Sequence, residues 1–195
     1  MDEEAYESSD IKVMIFGQET YGWCGGFGKS ICYCMKAYEE YFTKEGYKKN
    51  QHSFFRGIDF FKDELNNACP DKKIYYIWNN ISKVGRYEAK GVTQEIRDLE
   101  RTTFPVIQEE MEILKPDIVI FLSGNREDDI LFSFPNATFS PLGVKLPSKK
   151  GSKQFEPVYQ VTSSLLPEKS IRLYHPSYFG GFNMLKHNAI RALCP

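Results

Sequence analysis

The sequence predicts a three-layer α/β/α domain with a central four-stranded parallel sheet, and three observations predict it. Four short runs, Lys12 to Phe16, Lys73 to Trp78, Asp117 to Leu122 and Ser170 to Tyr174, are apolar nearly throughout rather than alternating, the pattern of strands covered on both faces. Most of the segments between them carry apolar residues at helical spacing, and strands alternating with helices make a parallel sheet wrapped by crossovers. At 195 residues, 42% hydrophobic and 26% charged, the chain fits one well-buried domain.

The acidic start MDEEAYESSD is read as a flexible N-terminus over 1–10, with one domain over 11–195. The first strand stops at Gly17. Lys29 to Phe42 places Ile31, Met35, Tyr38 and Phe42 on one helical face. Phe54 to Leu65 and Val92 to Leu99 are weaker helical patterns. Phe104 to Leu114 has Thr103 to cap it, Pro105 in its first turn, a face of Ile107, Met111 and Leu114, and Pro116 to end it. From 133 to 167 the composition turns to Ser, Pro, Gly and Lys, with short apolar pieces at Ala137 to Phe139 and Val158 to Val161. This predicts a hairpin-like insertion whose tip is Pro147 to Lys153.

Composition narrows the function. A net charge of -1 removes any general attraction of the surface for nucleic acid, so such a function has to come from a local site. The cysteines number 5 and form no CxxC pair, which supports neither a disulfide framework nor a zinc or iron–sulfur site. No metal and no cofactor are expected. The apolar runs fall short of the roughly 18 residues that span a bilayer, and the acidic start is unlike a signal peptide, so a soluble, cytoplasmic protein is expected.

In a parallel sheet the carboxyl ends of the strands open on one edge, where ligands bind. The residues there are Gly17, Gln18 and Glu19; Asn79 and Asn80; Ser123, Gly124 and Asn125; and His175, Pro176 and Ser177. A carboxylate, an imidazole and an amide on one edge can support acid–base or electrostatic catalysis. A side-chain amide also complements the edge of a pyrimidine. Asn79 and Asn80 are adjacent, so on an extended backbone they point opposite ways and only one need face a ligand. Singly, each has a plainer reading: Glu19 as a loop carboxylate, His175 as a structural histidine, the asparagines as a turn.

Taken together, GQETYGW, WNNISK and HPSYF, in this order and each at the end of an apolar strand, resemble the uracil-DNA glycosylase superfamily. Its members build a uracil pocket from a GQDPY-type motif, an Asn after the second strand and an HPS motif after the last. The resemblance implies a uracil-DNA glycosylase-like fold, with DNA, single- or double-stranded, as partner. It implies Glu19 as the carboxylate that orients water and stabilises the cationic sugar, and His175 as hydrogen-bond donor to the leaving base. Gln18 and Tyr21 would line the pocket, Tyr21 against a thymine methyl, and Asn80 would read the base edge. Phe179 would wedge into the duplex, with Ser177 also at the DNA. Phe27 is the expected stacking ring, with Tyr33 as alternative. Lys83 and Arg86, with Lys145, Lys149, Lys150 and Lys153 in the insertion, are the basic residues available to phosphates. Thr20 stands where the motif has Pro, and Glu19 where it has Asp. Two other readings stay open: a glycosylase-like module that binds nucleic acid or a partner without cleavage, and an α/β enzyme acting on a nucleotide or other small molecule in the same cleft.

Overall fold

A computed structural model of the chain describes residues 2–20, 25–26, 28–43, 52–86, 89–144, 157–177 and 182–194. Its strands are β1 (Ile11–Glu19), β2 (Ile74–Ser82), β3 (Ile118–Phe121), β4 (Thr138–Pro141), β5 (Tyr159–Thr162) and β6 (Lys169–Arg172). Its helices are α1 (Glu3–Glu7), α2 (Ile31–Thr43), α3 (Ser53–Ala68), α4 (Gln94–Thr103), α5 (Ile107–Leu114), α6 (Glu127–Ser133) and α7 (Phe182–Leu193).

The sheet is mixed and six-stranded, in the order β2-β1-β3-β6-β5-β4, where four strands were expected. β1 pairs in parallel with β2 and β3, and β3 with β6, while β5 is antiparallel to both β6 and β4. The extra strands come from the insertion, whose two apolar pieces pair with each other and then along β6. That edge would otherwise present unpaired N–H and C=O groups. The expected tip at 147–153 lies outside the described residues.

Both leading strands run further than expected. The β1–β2 ladder continues through Gly17↔Asn80 to Glu19↔Ser82, whereas β1 and β3 part at Phe16↔Phe121. Gln18, Glu19, Asn79 and Asn80 are thus strand residues on a two-stranded ribbon, not loop residues beyond it. Alternation on a pleated backbone then fixes their faces.

Each face of the sheet carries its own core. Val13, Ile15, Ile120 and Ile171 pack with Phe55, Ile58 and Phe61 of α3 and with Leu185 and Ala189 of α7. Met14, Phe16, Val119 and Phe121 pack with Ile107 and Met111 of α5 and Ile130 of α6. Helices therefore cover both faces of an α/β sheet.

Within the acidic start Asp2 caps α1 by accepting from the Ala5 N–H, and Tyr6, 6% exposed, donates its hydroxyl to the Leu114 carbonyl. One local expectation is corrected. The helix expected over Phe104 to Leu114 begins at Ile107, and Thr103 ends α4, its hydroxyl donating back to the Leu99 carbonyl, instead of capping α5. Among the described residues no helix is long and apolar enough to cross a membrane.

Candidate functional site

The strand order locates a crevice. The chain leaves β1 for β2 by way of α3 on one face, and leaves β2 for β3 by way of α5 on the other. Connections that part in this way open a crevice outside the carboxyl ends of β1 and β3, where open α/β sheets bind ligands. Gln18 spans this point, its amide donating to the Ser123 carbonyl at 2.8 Å.

On the α3 side stand an amide, a phenyl ring and an imidazole. Asn80 is 8% exposed, and a Cβ on Gly17, its ladder partner, would lie 2.6 Å from Asn80 Oδ1 and 2.8 Å from Phe54 Cζ. Glycine is what lets the amide and the ring approach the β1 backbone there. Among the described residues no hydrogen bond engages the Asn80 side chain; only its backbone N–H is taken, by Asn79 Oδ1 at 2.8 Å. Phe54, in the first turn of α3, stacks on His175 with centroids 5.4 Å apart and planes 16° from parallel.

Ser177 fixes the chemistry of His175. Its backbone N–H lies 3.2 Å and its Oγ 2.7 Å from Nδ1. A backbone N–H can only donate, so Nδ1 is an acceptor and the neutral ring carries its proton on Nε2. Burial, aided by Lys90, lowers the pKa to about 4, which keeps the ring uncharged at neutral pH. Gly57 places this loop against α3: a Cβ there would press on the Pro176 ring, 2.9 Å from its Cβ.

On the other side of the crevice the carboxylates are held by cations. Glu19 accepts from the Gly91 N–H at 2.5 Å through Oε1 and pairs with Arg126 at 2.8 Å through Oε2. Arg126 reaches on to Asp129 at 3.9 Å, which also pairs with Arg97 at 2.8 Å and Arg101 at 3.6 Å. Gly85 lies so close to the Thr20 carbonyl that any side chain would collide with it. The loop after β2 thereby packs directly on the backbone at Thr20. Buried Arg172 donates to the Gly124 carbonyl at 2.7 Å and pairs with Glu127 at 2.7 Å, steadying the turn that follows β3.

The structure thus brings Gln18, Glu19, Asn80, His175 and Ser177 to one edge. It does not leave Lys83 for phosphate. That ammonium is buried against Glu110 at 2.5 Å and against Asn79, so it faces inward. Asn79 donates to Glu110 at 2.8 Å on the α5 face, opposite Asn80, as adjacent strand residues must. Arg86 is exposed, its guanidinium 3.5 Å from the Lys90 carbonyl. Tyr21, Phe27 and Phe179, with Lys145, Lys149, Lys150 and Lys153, lie outside the described residues. The ring found beside His175 is Phe54, which the sequence reading did not single out; nor did it single out Gly57, Arg126 or Asp129. A glycine inside a helical pattern was the available signal for Gly57. Among the described residues no group of His, Cys, Asp and Glu is placed to hold a metal ion. Comparison with protein families, with curated proteins and with solved structures finds no match to this chain.

Proposed function

We propose that the chain binds a pyrimidine-type base in this crevice and hydrolyses its N-glycosidic bond, with uracil or a related damaged base in DNA as substrate, on a uracil-DNA glycosylase-like fold. One observation carries the reading: Ser177 and burial hold His175 neutral with its proton on Nε2, beside an Asn80 amide with no protein partner among the described residues. When the glycosidic bond breaks, its electron pair leaves with the base and charge gathers on a ring oxygen. A neutral, positioned N–H donor stabilises that charge without having to lose a proton. Asn80 supplies the donor and acceptor set that a pyrimidine edge requires. Water adds to the sugar carbon and the proton it loses is taken up by the departed base anion, while the Glu19 carboxylate balances the positive sugar in between.

A second reading, recognition without cleavage, is favoured by the engagement of both Glu19 oxygens by Arg126 and Gly91. Release of free base from single- and double-stranded oligonucleotides carrying one uracil separates the two. Cleavage predicts release by wild type, a loss of roughly 10²- to 10³-fold in His175→Ala, as for removal of one oxyanion donor, and a loss in Glu19→Gln. Binding of the oligonucleotide with no release across a panel of modified bases would establish the second reading.

A further inference from the structure

With Lys83 turned inward, the crevice has a different basic feature. A cavity of about 430 Å³ shares Arg126, the partner of Glu19, with the crevice, and is lined among others by Gln94, Arg97, Arg101, Asn125 and Asp128. The arginines are not equivalent. Arg97 is fully committed, with Nε and Nη2 on Asp129 and Nη1 on the Val92 carbonyl. Arg126 holds Glu19. Arg101 touches Asp129 through one nitrogen only, at 3.6 Å, beyond hydrogen-bond length, and its guanidinium carbon lies 4.5 Å above the centre of the Phe132 ring. Among the described residues no hydrogen bond engages its N–H groups, and its side chain is 26% exposed.

A guanidinium steadied by a ring and one carboxylate, with its donors unbonded at the wall of a polar cavity, is a preorganised acceptor of a phosphate group. Asp128 on the same wall opposes any anion and disfavours free phosphate. A phosphate on a polymer already held by its base arrives at high effective concentration and overcomes that opposition. We infer that this cavity takes a backbone phosphate of the nucleic acid whose base enters the crevice, with Arg101 as its principal donor. The inference rests on base recognition at this edge but not on cleavage.

The test is fluorescence anisotropy with a labelled single-stranded DNA 12-mer containing one uracil, titrated over a range of salt against wild type, Arg101→Gln, Arg101→Lys and Lys72→Gln. Lys72 precedes β2, at the opposite edge of the sheet, and controls for loss of charge alone. Arg101→Gln is expected to weaken binding roughly 5- to 10-fold at low salt and to reduce the salt slope by about 0.7, the value for one phosphate contact on a single strand. Arg101→Lys should keep the slope, and Lys72→Gln should match wild type. Equal losses in Arg101→Gln and Lys72→Gln, or no loss in Arg101→Gln, would overturn the inference even if base is released. Arg101-dependent binding without base release would sustain it while removing the cleavage reading. Competition by inorganic phosphate at concentrations similar to the oligonucleotide would overturn it in favour of a free-phosphate site.

Discussion

On one side of the crevice Glu19 and Asp129 are surrounded by Arg97, Arg101 and Arg126, and Glu19 has both oxygens engaged. On the other side His175 is fixed through a single ring nitrogen and Asn80 through its backbone alone. The two carboxylates of the first cluster are neutralised within the protein and hold the crevice in shape, while of its three arginines only Arg101 keeps donors unbonded among the described residues. The second cluster is nearly uncharged and keeps its donors for something else. The difference separates carboxylates that are tied into the frame from uncharged groups whose donors are unspent, and it makes Glu19 the residue in question: the proposed reaction needs its carboxylate, while its contacts tie it to the frame.

The largest effect comes from breaking the charged side. Asp129→Ala leaves Arg97 and Arg101 without their carboxylate in a place where Asp129 is only 6% exposed. Removing one partner of a buried pair costs about 3–5 kcal/mol. Urea denaturation of the variant should show a loss of that order with the slope unchanged. A loss below about 1 kcal/mol, the range of exposed pairs, would mean that this network does not hold the frame.

Gly57→Ala probes the other side and is expected to be smaller in stability but large in recognition. A methyl group at 57 strikes the Pro176 ring. Overpacking of this kind costs roughly 1–3 kcal/mol, and better helix propensity returns about 1 kcal/mol. The displaced loop carries His175, and a misplacement of ~1 Å can cost on the order of 10²-fold in rate. Thermal unfolding reads the first quantity, and the rate of base release from a uracil oligonucleotide, with its affinity alongside, reads the second. Intact recognition would detach Pro176 from the placing of His175.

How much of this was legible in the sequence follows the range of the cause. The apolar runs of β1, β2, β3 and β6 were readable because burial on both faces writes itself along the chain. The opposite facing of Asn79 and Asn80 was readable because it needs only the pleat. Lys83 was not, since nothing near it in sequence announces Glu110 on α5. Arg126 and Asp129 looked like ordinary charges after a strand, because the carboxylate that Arg126 holds, Glu19, comes from a strand far back in the chain. Phe54 and Gly57 sat in a helical pattern whose apolar residues were all equally good candidates for core. Only the meeting of α3 with the loop after β6 distinguishes them.

The smallest effect, and the one most specific to the uncharged side, is the response to pH. Folding lowers the pKa of His175 from its usual value near 6.5 to about 4, so between those values the unfolded chain binds the proton that the folded chain refuses. Stability from this group is therefore complete above about pH 6.5, falls as pH drops toward 4, and changes no further below. The imidazole is only half-buried, and solvent screening keeps the effect modest. Melting temperatures of wild type and His175→Gln, compared at pH 7 and pH 4.5, should draw together at the lower pH. A constant gap would mean that the histidine titrates normally in the folded protein. Its neutrality would then end near pH 6.5, and base recognition should weaken there instead of persisting to about pH 5.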